Sequence, residues 1–250
     1  MGTELLGYSE RGLINSLFYE LSYKDPDGKL LGQLLDKVYF PDWKGSFKVT
    51  DVTILIEQSF SDFGDADVVL LIKNGVRNQT VFIEAKVKTS GKGGWKIADE
   101  FVEFKAGSEP KKLSSSNLFT QLYHKHRLVD GIAEMGVDYV ASKGVLFPAC
   151  STKSPRKLGK NKIVLRAAKM IEEYPDDFFF IGIVPDKIKN IEEFVDSELR
   201  LFDPGNDPNW HWNVRNWGWL SWQTVKNFCE ANDLKITLGN FEHNEEQIFK

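Results

Sequence analysis

The chain has 250 residues, of which 42% are hydrophobic and 27% charged, and its formal net charge is −4 at pH 7. This length can bury a large core, so we expect one domain with additions. No apolar run is long enough for a membrane span and the chain does not open on a signal peptide, so we expect no membrane partner. The two cysteines stand alone, which argues against a disulfide framework or a structural zinc site and favours the cytoplasm.

The first part of the chain alternates between helical and extended patterns. Apolar residues at helical spacing predict a helix over residues 8–22, with Ser9 as its N-cap, and a second short helical segment over residues 30–40. Alternating apolar residues then predict a first strand near residues 51–59.

The most informative stretch is a predicted hairpin whose arms are residues 66–72 and 80–87. Both arms are rich in β-branched residues, and a turn containing Asn74 and Gly75 lies between them. Side chains alternate along a strand, so one face of the hairpin is expected to be apolar. This face would carry Val68, Leu70, Ile72, Val81, Ile83, Ala85 and Val87.

The other face of the hairpin collects Asp67, Glu84 and Lys86. A two-residue turn would place Asp67 diagonal to Glu84 and a four-residue turn would place it directly opposite, so the carboxylates are neighbours in either register. Two carboxylates can hold a hard cation such as Mg²⁺ or Mn²⁺, and an ammonium beside them can act on an attacking water, as metal-dependent phosphodiester hydrolysis requires. The alternative is a salt bridge or a solvated strand end. Against it, charge inside an apolar run is costly unless it is paired or metal-bound.

The later elements complete an α/β pattern. In order, they are a short amphipathic segment at 96–105, a long helix at 115–134, a strand at 144–147, a helix at 163–174, a strand at 178–184 and a helix near 221–231. The long helix is expected to return the chain for a parallel strand at 144–147. The predicted fold is therefore a mixed central β-sheet flanked by helices.

These residues resemble the PD-(D/E)xK nuclease superfamily, which has a restriction endonuclease-like core. The matching pieces are Asp67 at the start of the second core strand and Glu84-Ala85-Lys86 in the third, while Ala66 stands where the family name has proline. The resemblance implies a nuclease that hydrolyses phosphodiester bonds, expected in DNA, with Mg²⁺ or Mn²⁺. It also implies that Asp67, Glu84 and the Ala85 carbonyl bind the metal and that Lys86 orients or activates the water.

Two supporting residues come from looser parts of the same resemblance. Glu10 begins a Glu-Arg pair in the first helix. This pair is similar to one in archaeal Holliday-junction resolvases, in which the Glu joins the metal site. The alternative is a solvated acid at a helix N-terminus. Gln121 lies on the helix after the third strand, where many members point a Gln at the metal site, and an ordinary surface amide is the alternative. In the RecB-like branch a tyrosine follows four residues later, but here Lys125 stands in its place.

The resemblance also divides the chain. Residues 1–150 correspond to the nuclease core, and residues 151–250 add a basic loop, a further helix and strand, and a tryptophan-rich extension on the same domain. Five tryptophans crowd between residues 210 and 222, and we favour a structural role for them over stacking on unpaired bases.

An acidic chain needs a local basic surface to bind nucleic acid. The stretch from Lys153 to Lys169 contains basic residues and no acid, so we expect it to contact phosphates, although such runs are also common in solvated loops. The phosphate-contacting candidates are Lys153, Arg156, Lys157, Lys160 and Lys162. Two other functions stay open, a non-catalytic nucleic-acid- or protein-binding module and a structural protein. The oligomeric state, a homodimer included, is not fixed by the sequence.

Overall fold

The structure is a computed structural model that describes residues 5–88, 95–106, 116–146, 154–202 and 216–249. Its strands are β1 (Asp51–Ser59), β2 (Asp65–Lys73), β3 (Asn78–Ala85), β4 (Asp177–Val184) and β5 (Trp217–Ser221). Its α-helices are α1 (Ser9–Lys24), α2 (Lys29–Leu35), α3 (Ile97–Ala106), α4 (Leu118–Met135), α5 (Val137–Ser142), α6 (Lys162–Glu172), α7 (Ile188–Phe194), α8 (Trp222–Ala231), α9 (Lys235–His243) and α10 (Glu245–Ile248). A 3₁₀ turn covers Ser61–Phe63, and a π-helical turn covers Val195–Leu199.

The five strands form one mixed sheet in the order β1-β2-β3-β4-β5. The first three form an antiparallel meander, whereas β4 is parallel to β3 and β5 is parallel to β4. Helices cover both faces, with α4 in the hydrophobic cluster on one face and α1 in the cluster on the other. The predicted α/β fold with a mixed sheet is confirmed. In the described part of the chain, no helix is long and apolar enough to cross a membrane.

The hairpin between β2 and β3 has the register of a four-residue turn. Val68 pairs with Ile83 and Lys73 pairs with Asn78, which leaves residues 74–77 for the turn. The Asn74 carboxamide oxygen accepts hydrogen bonds from the backbone N–H groups of Val76 and Arg77, at 3.1 and 2.8 Å, and stabilises the turn. The predicted apolar face is confirmed, since its members all lie in the cluster under α1.

Two local predictions are wrong. The run near residues 144–147 forms no parallel strand in its described part, because Val145 makes only an isolated antiparallel bridge to Arg156. The strand parallel to β3 is β4, whose longer apolar run can fill a position buried on both faces.

Ser9 is not the N-cap of α1 either. Tyr8 takes that position, and Ser9 has φ +63° with its backbone N–H bound to the Asn244 side chain at 2.7 Å.

The C-terminal part of the chain completes the sheet. Trp217 and Trp219 lie on β5 and are fully buried, and Trp222 is buried at the start of α8. Their expected structural role is therefore confirmed, while Trp210 and Trp212 lie outside the described residues.

On the α1 side, the buried Glu20 carboxylate accepts a hydrogen bond from the Thr237 backbone N–H at 2.9 Å. This contact ties α9 to α1.

Candidate functional site

Asp67 and Glu84 lie at the end of the β2–β3 hairpin away from its turn. Extending the observed register by one residue places the two directly opposite each other. The Ala85 backbone N–H donates to Asp67 Oδ2 at 2.7 Å, which fixes the aspartate across the strands. Asp67 keeps part of its surface in contact with solvent, whereas Glu84 is only 1% exposed. The structure therefore pairs one accessible carboxylate with one enclosed carboxylate.

A buried lysine faces the enclosed carboxylate. Lys125 Nζ lies 3.4 Å from Glu84 Oε1, and the lysine side chain is completely buried. The same ammonium donates to the Phe63 carbonyl at 3.0 Å. Glu84 Oε1 has no hydrogen-bond partner of good geometry among the described residues, so the ion pair neutralises its charge without saturating the oxygen.

In the sequence, Lys125 stands out only as the residue in place of a tyrosine. One signal could have drawn attention to it. It lies one helical turn after Gln121 on α4, between the buried residues Leu122 and Leu128, where a lysine needs a partner. The identity of that partner depends on how α4 packs against β3, which the local sequence does not specify.

Burial dominates the electrostatics of both carboxyl groups. It raises the pKa of Glu84 to about 7; the positive charges of Lys125 and Lys86 oppose this increase, and the negative charge of Asp67 adds to it. Burial also raises the pKa of Asp67, the Ala85 N–H and Lys86 oppose it, and the Glu10 charge adds to it. Ionising both carboxyls therefore costs free energy that additional positive charge at this position would offset.

Lys86 is anchored from three sides. Its Nζ donates to the Gln121 side-chain oxygen on α4. Its backbone N–H donates to the Ile183 carbonyl at 2.8 Å, and its carbonyl accepts from the Trp222 indole N–H at 2.7 Å. The expected proximity of Gln121 to the site is thus present as a direct contact with the lysine. The contribution of Trp222 was not foreseen, because nothing in the local sequence links it to the hairpin.

Glu10 lies near the two acids without joining them. It is the second residue of α1, half-buried, and its carboxylate accepts a hydrogen bond from the Ser9 hydroxyl. Its charge raises the pKa of Asp67, so the two carboxylates are close enough to interact, although α1 packs in the cluster on the other face of the sheet from α4. However, within the described residues no three His, Cys, Asp or Glu side chains are grouped so that they could hold a metal ion. The structure therefore brings Asp67 and Glu84 together, and the expected role of Glu10 as a metal ligand stays a prediction.

The donor set at the hairpin nevertheless fits a hard divalent cation. Mg²⁺ typically uses one or two carboxylates and keeps several waters, so a third acid is not required. Asp67 and Glu84 supply two carboxylates on facing strands, and Ala85 is the last residue of β3, between Glu84 and Lys86 in the chain. Glu84 Oε1 is buried and faces the Lys125 ammonium at 3.4 Å without a hydrogen bond of good geometry, so this oxygen could still bind a divalent ion.

Glu100 on α3 is a further acid near the site. Its carboxylate caps α4 by accepting from the Leu118 backbone N–H at 2.8 Å. Burial raises its pKa, and the positive charge of Lys86 opposes that increase. Glu100 could not be assigned to the site from the sequence, because nothing in the 96–105 segment indicates where it packs.

The basic stretch is connected to the site through the 3₁₀ turn. Arg156 donates from its guanidinium to the Asp62 carbonyl, and the Lys157 backbone N–H donates to the Asp62 carboxylate at 2.9 Å. The last residue of this turn, Phe63, accepts the hydrogen bond from Lys125. Lys157, Lys160 and Lys162 are exposed, Arg156 is half-buried, and Lys153 lies outside the described residues.

Comparison with protein-family models gives no match to this chain. Comparisons with curated proteins and with solved structures give none either. Function is therefore inferred from the geometry of the site and from the motif that the sequence carries.

Proposed function

We propose that this protein is a metal-dependent nuclease that hydrolyses phosphodiester bonds, with DNA as the expected substrate. The observation that carries the proposal is the end of the β2–β3 hairpin, where Asp67 and Glu84 face each other across the strands and Lys86 follows two residues later. Support also comes from the strand order, because an antiparallel meander followed by a helical connection and a parallel strand is the arrangement expected of a restriction endonuclease-like core.

Each residue of the site has a role that its surroundings support. Asp67, Glu84 and the Ala85 carbonyl would hold the cation, which when bound polarises the phosphate and lowers the pKa of a water. Lys86, whose Nζ is held by the Gln121 amide oxygen, orients the attacking water and stabilises negative charge that develops on the phosphate. Glu10 adds negative charge beside Asp67, which favours a cation there.

Nucleic acid would be held by the basic stretch. Lys157, Lys160 and Lys162 expose their side chains to solvent, and Arg156 is bound to the turn that precedes β2. Contacts of this kind bind phosphates irrespective of base sequence. We therefore expect the basic stretch to govern affinity and its salt dependence, and expect no sequence preference from it.

A non-catalytic binding module on the same fold is the second candidate. The observation that favours it is the ion pair between Glu84 and Lys125, because a carboxylate that already has a buried cation beside it can be stable without metal. In that case Asp67 and Glu84 would be structural acids, and divalent ions would change neither stability nor activity.

A cleavage panel separates the two candidates. Purified protein is incubated with linear, circular, branched and single-stranded DNA, in Mg²⁺, in Mn²⁺ and in chelator. The nuclease proposal predicts cleavage of at least one substrate that requires the divalent ion and is lost in Glu84→Ala. Cleavage by Glu84→Ala at the wild-type rate would show that any observed activity does not come from this site.

A further inference from the structure

Lys125 is the only buried lysine among the described residues. Its position on α4 places its ammonium against two other segments, the Phe63 carbonyl before β2 and the Glu84 carboxylate on β3. Gly64 adjoins it, because a Cβ added there would be in ordinary van der Waals contact with Lys125 Nζ, at 3.5 Å. The lysine is therefore built into the junction of three chain segments, and its complete burial keeps it from contacting a substrate.

The formal charges of Glu84 and of the three charged groups that act on it balance without a metal ion. Asp67 and Glu84 provide two negative charges when both are ionised, and Lys86 and Lys125 provide two positive charges close enough to affect the ionisation of Glu84. The two lysines differ in setting. Lys86 is partly exposed and bound to an amide oxygen, whereas Lys125 is enclosed and directly faces the carboxylate.

We propose that Lys125 is an internal cation that neutralises Glu84 in the metal-free protein and weakens the binding of a divalent ion at that carboxylate. This inference rests on the proposed function, since it assigns Glu84 to the metal site. A dication bound to Glu84 would lie close to the Lys125 ammonium in surroundings of low dielectric constant, where like charges repel strongly. Lys125 is thus a positioning residue: it holds Glu84 in place and sets how tightly the site binds metal.

The inference separates charge from packing, so it can be tested with matched variants. Lys125→Gln removes the positive charge and keeps an N–H donor for Phe63 and Glu84, whereas Lys125→Arg keeps the charge. Lys189→Gln makes the same change in net charge on the exposed surface of α7, where Lys189 pairs with Glu193 at 3.6 Å. The readout is the affinity for Mg²⁺ in the absence of nucleic acid, measured by isothermal titration calorimetry at the same series of pH values for every variant.

We expect Lys125→Gln to bind Mg²⁺ at least about tenfold more tightly than the wild type, because a repulsive charge beside the ion has been removed. Lys125→Arg and Lys189→Gln should bind Mg²⁺ with wild-type affinity. Equal affinities of Lys125→Gln and the wild type would overturn the inference while leaving the nuclease proposal intact. Absence of Mg²⁺ binding in all four proteins, together with absence of cleavage, would instead refute the nuclease proposal.

Lys125→Gln also removes the buried partner of Glu84, so the variant can be unstable without metal. The same inference predicts the outcome in that case: Mg²⁺ supplies the missing positive charge, and the variant recovers its folded circular dichroism spectrum when the ion is added. A variant that stays unfolded at every Mg²⁺ concentration that the wild type tolerates would show that Lys125 acts through packing and hydrogen bonding, and would overturn the inference.

Discussion

Replacing Asp67 with asparagine should stabilise the metal-free protein while it abolishes cleavage. Asparagine has nearly the same shape, and its side-chain oxygen can still accept the hydrogen bond from the Ala85 N–H that Asp67 Oδ2 accepts at 2.7 Å. What disappears is a negative charge that burial makes costly and that lies opposite Glu84. An amide is also a much poorer ligand for a hard cation than a carboxylate.

The expected gain in the free energy of unfolding is the repulsion that is relieved minus two attractive interactions that are lost. Carboxylates on directly opposite residues are about 5 Å apart, and two like charges at that distance repel by about 3 kcal/mol at an effective dielectric constant of about 20. Against this, a charge-assisted hydrogen bond from Ala85 becomes a neutral one, which costs about 1 kcal/mol. The attraction to the partly exposed Lys86 is also lost and contributes about 1 kcal/mol or less. The net gain is about 1–2 kcal/mol, or roughly 2–8 °C in Tm for a chain of this size.

The gain should depend on pH in a defined direction. Since the pKa of Glu84 is raised to about 7, the carboxyl is protonated below that pH and the repulsion from Asp67 disappears. The stabilisation of Asp67→Asn should therefore be largest in alkaline buffer and shrink as the pH falls through about 7.

Urea denaturation in chelator at several pH values measures this effect, and a cleavage assay in Mg²⁺ measures activity in parallel. Asp65→Asn is the matched control, because Asp65 is exposed two residues earlier on the same strand. The control should change stability by less than about 0.5 kcal/mol. If Asp67→Asn is less stable than the wild type at alkaline pH, the aspartate contributes structure and the electrostatic argument is wrong.

Three further predictions test other parts of the account. Glu84→Gln should flatten the dependence of the unfolding free energy on pH. In the wild type, the folded protein holds a proton on Glu84 up to about pH 7 while the unfolded chain releases it near 4.5, so stability falls as the pH rises through that window. Urea denaturation of the variant at several pH values should lack this fall. Gln121→Ala should lower kcat far more than the affinity for Mg²⁺, because it removes the acceptor of Lys86 Nζ and no metal ligand; an equal loss in both would contradict the assignment. Changing Lys157 and Lys160 together to alanine should weaken DNA binding in Ca²⁺ and flatten the slope of log affinity against log salt by up to about two units, whereas an unchanged slope would show that DNA binds elsewhere.

The hairpin could be predicted in detail because its signals are local. Alternation within each arm fixes which side chains share a face, and Asn74 with Gly75 marks the turn. These two facts suffice to make Asp67 and Glu84 neighbours on one face, whereas the choice between the diagonal and the directly opposite register follows only from the observed pairing of Val68 with Ile83. The helix that became α4 was also predictable, since its apolar periodicity persists over five turns.

The remainder depends on contacts between distant segments. The run at 144–147 and the run that forms β4 are both apolar, and only the completed sheet shows which one lies beside β3. The strand β5 has five residues, too few for a clear alternation. The buried position of Lys125 requires α4, the turn before β2 and β3 to be packed together. For the same reason Trp222 could be predicted as buried but could not be assigned to the Lys86 carbonyl.

The most direct test of the central claim is the rate of phosphodiester hydrolysis by wild type and Glu84→Ala as a function of Mg²⁺ concentration. The account predicts that the wild type cleaves DNA only with the divalent ion and that Glu84→Ala, shown to be folded by circular dichroism, loses at least about a hundredfold in rate at saturating Mg²⁺. Hydrolysis by the folded variant at the wild-type rate, with the same dependence on Mg²⁺, would contradict the account.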